Sequence, residues 1–294
     1  MNILYCGDQN IERGMLISVL SLLKNVPEPL HIYVITMSAE WNGKQYEPVT
    51  DEMLEFLRKR IRFTNPDGSI EKFDVTEAFK KEVPSVNMET RFTPYCMLRL
   101  FADQIETLPD RILYLDNDVV CRQNCLSFYE EDLDGYELAG VLDYYGKWFY
   151  HNHFLKFDYM NSGVLLLNMK KIRETGLFSK CRKMCQEEKM FLPDQAAINK
   201  LVTSKKILPR KYNEQRRLKD DTVMQHFTTT FRLFPWFHTV TVKPWNVTGL
   251  HRVLKNFAYD DILNEYACLM NYKQEKKVKG DYDEKQYDTN IFFN

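Results

Sequence analysis

The chain has 294 residues, 44% of them hydrophobic and 28% charged, which suits one large or two small packed domains and excludes wholesale disorder. Its 40 lysines and arginines nearly cancel its 41 aspartates and glutamates, so it offers no basic field for a nucleic-acid partner. The seven cysteines form no CxxC, and with no signal-peptide pattern and no run near 18 apolar residues the expectation is a cytoplasmic protein, at most peripheral to a membrane.

Residues 1–36 read as a β-α-β unit. Ile3-Leu4-Tyr5 is a short apolar strand, Met15, Leu16, Val19, Leu20 and Leu23 recur at helical spacing, and 31–36 is a second β-branched run. Between strand and helix, Gly7-Asp8-Gln9-Asn10 forms a turn that opens onto a helix N-terminus, the place where an α/β sheet takes ligands. Residues 38–50 read as a polar, aromatic loop, 51–60 as a helix, and Asn65-Pro66-Asp67-Gly68 as a turn. A helix is predicted from Thr93 to about Glu106, a strand over 111–115, another over 138–143 and a third over 160–168. A single long helix then runs to about Glu188, with Cys181 and Cys185 on one face, and another follows Pro193. The alternation predicts an α/β architecture with a mostly parallel sheet. Residues 259–272 read as a helix and 273–294 as a polar tail. There is no internal repeat, so the reading is one domain over 1–250 and a C-terminal extension with a polar tail over 251–294.

Asp116 and Asp118 stand two positions apart just where the apolar run RILYL ends. In extended backbone such residues share a face, so both carboxylates converge beyond the strand end. Two hard oxygen ligands suit Mg²⁺ or Mn²⁺, which suits a diphosphate. The same residues also read as a strand followed by an acidic turn.

The remaining segments are YCGDQN (5–10), TPYCMLRLF around Arg99, YMNSGVLLLN (159–168), LPDQAAIN (192–199), and VMQHF (223–227) followed by KPW (243–245). In this order around LYLDNDV the chain resembles glycosyltransferase family 8, the retaining GT-A enzymes typified by bacterial lipopolysaccharide galactosyl- and glucosyltransferases and glycogenin. The resemblance implies a GT-A fold, a Rossmann-like mixed sheet flanked by helices, and a UDP-sugar donor.

Residue by residue, it implies that Asp8 and Asn10 hold uracil and ribose, a role that competes with helix capping by Asp8. Arg99 matches an arginine near the donor sugar, against a surface arginine on a helical face. Asp116 and Asp118 match the metal-binding DxD, with Asn117 between them among the donor contacts, and His226 matches the third ligand. Here the chain departs from the family, which runs from that histidine through a glycine to KPW within a few residues. Sixteen residues without a glycine separate His226 from Lys243, and His238 lies nearer. His226 is preferred because it ends a strand-like segment. Lys243 matches a donor-phosphate lysine, and Asn161, Ser162 and Gly163 match a donor-sugar strand on which glycine admits close approach of backbone to ligand. Asp194 and Gln195 match the pair nearest the anomeric carbon, with Asp194 set to orient sugar hydroxyls or Arg99. Asp143 faces the acceptor side.

The implied reaction moves glucose or galactose from UDP-glucose or UDP-galactose to a saccharide acceptor in cell-surface glycan synthesis. Metal charge and Lys243 stabilise the departing diphosphate. Gln195 is a poor nucleophile, which points to front-face attack by the acceptor hydroxyl rather than a carboxylate adduct. Two other readings stand beside it: a nucleotide-sugar binding module without turnover, and an aspartyl-nucleophile phosphatase in which Asp220 and Asp221 mimic the later acidic pair. The loops 38–50, 144–158 and 228–242 carry Tyr144, Tyr145, Trp148, Phe149, Tyr150, Phe231, Phe234, Trp236 and Phe237. These rings suit sugar stacking, core packing, or a peripheral membrane or protein contact.

Overall fold

The computed structural model describes residues 1–89, 94–146, 158–232, 236 and 238–279. In chain order its strands are β1 (Asn2–Cys6), β2 (His31–Thr36), β3 (Ala39–Trp41), β4 (Lys44–Tyr46), β5 (Ser69–Asp74), β6 (Arg111–Leu115) and β7 (Val119–Cys121). They continue with β8 (Leu138–Leu142), β9 (Met160–Asn168), β10 (Lys205–Ile207), β11 (Met224–His226), β12 (Thr230–Arg232) and β13 (His238–Val240). Seven of them form one sheet in the order β10-β8-β9-β6-β1-β2-β5. All neighbours run parallel except β9, which is antiparallel to both β6 and β8. The mixed, mostly parallel sheet expected from the alternation is therefore present.

Both faces of this sheet are buried, as a parallel α/β sheet requires. Ile3, Tyr5, Leu113, Leu115, Val164 and Leu166 pack on one face with the helices Glu12–Asn25 and Asp51–Thr64. The alternate residues Leu4, Ile112, Tyr114, Leu165 and Leu167 pack on the other with Pro94–Gln104, Leu177–Glu187 and Pro193–Leu201. The period-2 alternation thus feeds two cores. The helix Asp260–Lys279 adds Ile262, Leu263 and Leu269 to the first core, and Glu265 receives Arg60 Nε at 2.8 Å. Cys181 and Cys185, four apart on one helix, are both buried in the second core, and all seven cysteines are free thiols.

Several sequence expectations are corrected. The helix predicted through 188 is broken at Gly176, whose φ of +66° is left-handed, giving Met169–Thr175 and Leu177–Glu187; glycine takes that conformation without the Cβ penalty. Pro94–Gln104 is wound as a 3-10 helix, and Thr93 lies outside the described residues. The loop 38–50 contains the β3–β4 hairpin, whose turn residues Asn42 and Gly43 both have positive φ (49° and 73°), the Asn-Gly signature of a tight hairpin. The first helix after it extends to Thr64, with Thr50 capping by accepting from Met53 N at 3.2 Å. Strand β5 follows the predicted turn. The last helix reaches Lys279, so 273–279 are not tail, while 280–294 lie outside the described residues.

The edge between β8 and β10 rests on one carboxylate. Glu137 is buried and accepts from Thr203 N at 2.7 Å, Ser204 N at 3.0 Å, Thr203 Oγ1 at 3.0 Å and Thr175 Oγ1 at 2.6 Å. Burial alone would raise its pKa, but these donors outweigh burial and lower it. Glu137→Gln is expected to cost about 1–3 kcal/mol at neutral pH, read as a lower thermal midpoint. Because the folded pKa is depressed, this stabilisation is complete above the unfolded value of about 4.3. It is lost as pH falls through the folded value, so the two proteins should converge in strong acid.

Candidate active site

The carboxyl ends of β1 and β6 emerge side by side, since the two strands are parallel neighbours (Ile3 opposite Leu113, Leu4 opposite Tyr114). That is where an open α/β sheet takes ligands. After β1, Asp8 caps a short 3-10 turn, accepting from Asn10 N at 3.2 Å and Asn10 Nδ2 at 2.5 Å. Capping is therefore real and coexists with a position at the sheet end. Burial raises the Asp8 carboxyl above its usual range.

After β6 the chain turns through Asp116 and Asp118 into β7, which pairs antiparallel with β11 so that His226 lies opposite Val119. Phe227 N donates to Asp118 O at 3.0 Å, locking the register. In this way β11 delivers His226 to the acidic pair. Its Nε2 is 3.2 Å from Asp118 Oδ1 and 3.6 Å from Asp116 Oδ2. One ligand atom from each of Asp116, Asp118 and His226 lies within 4.8 Å of the others. His238 instead places Nδ1 2.8 Å from Trp236 O, and it is not in that group.

Gly163 explains how His226 and Asp116 fit in so small a space. It lies on β9 beside Asp116, whose N donates to Gly163 O at 2.8 Å. A Cβ built there would sit 2.1 Å from His226 Cε1 and 2.7 Å from Asp116 Oδ2. The space a side chain would take there is occupied by His226 and Asp116.

Around this group the charges are arranged in a chain. Arg99 is buried, not a surface residue. Its Nη2 is 3.0 Å from Asp116 Oδ1, its Nε 3.2 Å from Asp194 Oδ2 and 3.0 Å from Cys96 O, and its Nη1 donates to Ser162 O. The guanidinium also lies 4.0 Å from the Tyr114 ring centroid, and Tyr114 OH donates to Asp116 Oδ1 at 2.6 Å. Asp194 is thus spent mainly on orienting Arg99; burial pushes its carboxyl up, against the lowering pull of Arg99. Lys243 Nζ forms an ion pair with Asp118 Oδ2 and donates to Phe227 O at 3.1 Å. Burial would raise Asp118, but Lys243 and His226 dominate and hold it well below the usual carboxylate range.

A third group flanks Gln195. Gln195 Oε1 accepts from Ser162 N at 2.9 Å and Ser162 Oγ at 3.2 Å, while its Nε2 donates to Asp143 Oδ2 at 3.3 Å. Asn161 Nδ2 donates to the same Asp143 oxygen at 3.0 Å. Asp143 Oδ1 caps the following turn through Tyr145 N and Gly146 N. Asn117 packs on the helix Glu12–Asn25: its carbonyl oxygen would be 2.4 Å from a Cβ at Gly14, and the Trp245 ring 2.6 Å. No sequence signal nominates Gly14, Tyr114 or Asn213, although the close packing at Gly14 is the kind of constraint that only glycine meets.

Of the aromatic residues, Tyr144, Tyr145 and Phe231 form an edge-on cluster with centroids 4.9 and 4.8 Å apart next to Asp143, and Trp236 is exposed. Trp148, Phe149, Tyr150, Phe234 and Phe237 lie outside the described residues. Among the described residues no helix is long and apolar enough to cross a membrane.

A mostly parallel α/β sheet with an acidic pair and a histidine at its carboxyl edge is the architecture of a GT-A glycosyltransferase. The glycosyl transferase family 8 profile matches residues 2–249, and the chain belongs to that family. It is 25% identical over 267 residues to a lipopolysaccharide 1,2-glucosyltransferase of Escherichia coli, covering 80% of this chain and 73% of that protein. It is 31% identical over 201 residues to the enzyme of that name from strain K12, covering 61% and 60%. In fold it is similar to the galactosyltransferase LgtC solved with donor and acceptor sugar analogues (TM-score 0.68, 18% identity, 95% of this chain and 100% of that one). It is also similar to the glycosyltransferase GlyE of Streptococcus pneumoniae TIGR4 (TM-score 0.63, 17% identity, 97% and 66%).

Proposed function

We propose that this glycosyltransferase moves glucose or galactose from a UDP-sugar to a saccharide acceptor, with retention of anomeric configuration, and that Asp116, Asp118 and His226 hold Mn²⁺ or Mg²⁺. The observation that carries the reading is the convergence of those three ligand atoms within 4.8 Å in a cradle that a Cβ at Gly163 would fill. Two carboxylates and an imidazole suit such a cation. The relatives named as lipopolysaccharide 1,2-glucosyltransferases favour a lipopolysaccharide or similar cell-surface acceptor. Residues 1–250 constitute the transfer domain in this reading and 251–294 its extension.

When bound, the divalent cation supplies positive charge opposite the diphosphate that departs. The chain's own residues do the rest. Asp8 and Asn10 engage the nucleoside at the end of β1, and Asn117 and the turn around it frame the donor. Lys243, already at the acidic pair, places a compact cation where the leaving group gathers charge. Arg99 holds Asp116 and is itself held by Asp194, which keeps the Asp116 carboxylate turned toward the donor. Asn161, Ser162 and Gly163 line the sugar side. Gln195, its amide fixed by Ser162 and Asp143, presents a neutral group beside the anomeric carbon. The carboxylates near it, Asp143 and Asp194, are each engaged by other partners. That supports front-face attack by the acceptor hydroxyl, with the leaving phosphate oxygen taking its proton, over a covalent adduct.

The test is titration of purified protein with Mn²⁺ and a panel of UDP-sugars, reading heat of binding and UDP release with saccharide acceptors. Metal-dependent release from UDP-glucose or UDP-galactose is expected. Metal-dependent UDP binding with no turnover on any acceptor would instead make this a binding module.

A further inference from the structure

Behind His226, on the side away from the acidic pair, lies a buried chain of amides. Asn161 is fixed at both ends: its Nδ2 donates to the Asp143 carboxylate at 3.0 Å, and its Oδ1 accepts from Gly163 N at 3.0 Å. A carboxylate cannot donate in its ionised form and a backbone N–H cannot accept, so the orientation of this amide is not arbitrary. Asn213, fully buried, donates its Nδ2 to that same Asn161 Oδ1 at 3.0 Å. Its own orientation follows, with Oδ1 left facing His226. The Nδ1 of His226 therefore meets two carbonyl oxygens, Asn161 Oδ1 at 3.1 Å and Asn213 Oδ1 at 3.3 Å. Only a protonated Nδ1 satisfies both.

We infer that Asn213, together with the Asp143-anchored amide of Asn161, holds a proton on His226 Nδ1, so that Nε2 is the nitrogen left to a cation between Asp116 and Asp118. Asn213 is a positioning residue: its side chain meets Asn161 and His226 and acts on the cation site through His226. Its backbone is placed for this by β11, since His226 N donates to Glu214 O at 2.9 Å and Glu214 N to Met224 O at 2.9 Å, which lays 213–214 alongside the strand. The polarity begins at a carboxylate, Asp143, and ends at the Nδ1–H of His226, so each group has one role. Partners of this kind, behind a metal-ligating imidazole, set its tautomer and orientation, and their loss typically costs about 10–100-fold in metal affinity.

The inference rests on the proposed cation site, but the two are separable by experiment. Long-range ¹H–¹⁵N correlation spectra of the ¹⁵N-labelled full chain without added metal, taken up to the pH at which the ring is neutral, report the tautomer of His226, assigned by its loss in His226→Asn. The expected result is a protonated Nδ1 in the natural sequence. In Asn213→Leu, a shift toward Nε2–H is expected, together with Mn²⁺ affinity about 10–100-fold weaker. Asn213→Asp keeps an oxygen facing Nδ1 but loses the donor to Asn161 Oδ1, so it should retain the tautomer, with an affinity between that of the natural sequence and that of Asn213→Leu. A neutral His226 protonated at Nε2 would overturn the inference. So would an Asn213→Leu protein whose tautomer is unchanged, or two Asn213 variants that lose affinity equally, the mark of a structural role alone. A correct tautomer with no Mn²⁺ binding in the natural sequence would leave the inference standing and remove the cation reading.

Discussion

Asp118→Asn is expected to reduce sugar transfer by about 10²–10³-fold, the usual loss when one electrostatic contact to a developing charge is removed, and to weaken Mn²⁺ binding in parallel. Asp118 is the sharper choice of the two aspartates. Its carboxylate faces His226 Nε2 at 3.2 Å through one oxygen and Lys243 through the other, and the side chain is only 7% exposed. Asparagine keeps the shape but removes the charge that both neighbours engage. Asp116 is tied to Arg99 and Tyr114, so replacing it would also leave the buried Arg99 guanidinium with one fewer partner. Asp118→Asn also gives up the buried pairing with Lys243 and His226, so a lower thermal midpoint is expected, and circular dichroism separates lost chemistry from lost structure. Full transfer by this variant at saturating Mn²⁺ would remove Asp118 from the mechanism.

Gly163→Ala should be comparably severe for a different reason. The added methyl would sit 2.1 Å from His226 Cε1 and 2.8 Å from His226 Nδ1, far inside ordinary contact. Neither neighbour can yield cheaply: the His226 ring is held by Asn161 and Asn213, and Asp116 is held by Arg99 and Tyr114. Relief must come from turning the imidazole away from the acidic pair or from bending β9. Either outcome predicts loss of Mn²⁺ binding together with transfer. The overpacking cost is typically about 1–3 kcal/mol, which a thermal melt would register. One methyl group is not a subtle change at this position, and a Gly163→Ala protein with unaltered Mn²⁺ affinity would mean that the cradle is not needed.

The elements best read from sequence are those whose signal is local. The first β-α-β unit, β6, β8 and β9 have dense apolar or β-branched runs. The acidic pair does end β6, but Asp116 and Asp118 stand in a turn closed by Val119 N donating to Asp116 O at 3.1 Å, not in extended backbone. The strand-and-acidic-turn reading therefore holds for the local structure, and the turn, not a strand face, brings the carboxylates together. The break at Gly176 is hidden because the apolar pattern continues on both sides of it, from Ile172 to Leu177 and Phe178. The β3–β4 hairpin escapes notice although Asn42-Gly43 announces it, since its strands are only three residues each. Strands β5 and β10 are obscure because each is short and carries charged residues in an otherwise weak pattern.

The site is legible in a similar, partial way. Motif order nominates residues at the ends of different strands, and the fold brings Asp116, Asp118, His226, Lys243 and Arg99 together. The preference for His226 over His238 rests on its strand-like context, and the pairing of β11 with β7 supplies the physical reason. What no motif conveys is how these groups hold one another. Asp194 serving Arg99, Tyr114 donating to Asp116, Asn213 behind His226 and Gly14 against Asn117 are all contacts between segments distant in sequence or across a tight turn. Their residue types are common and their spacing carries no period.

The central claim is that one divalent cation sits between Asp116, Asp118 and His226. Its most direct measurement is titration of Mn²⁺ into the metal-free full chain, followed by the electron paramagnetic resonance of free Mn²⁺, with and without UDP. The predicted result is a single site per chain, tightened by UDP and lost in Asp118→Asn. Equal Mn²⁺ uptake by both proteins, or sugar transfer that persists undiminished in excess chelator, would contradict it.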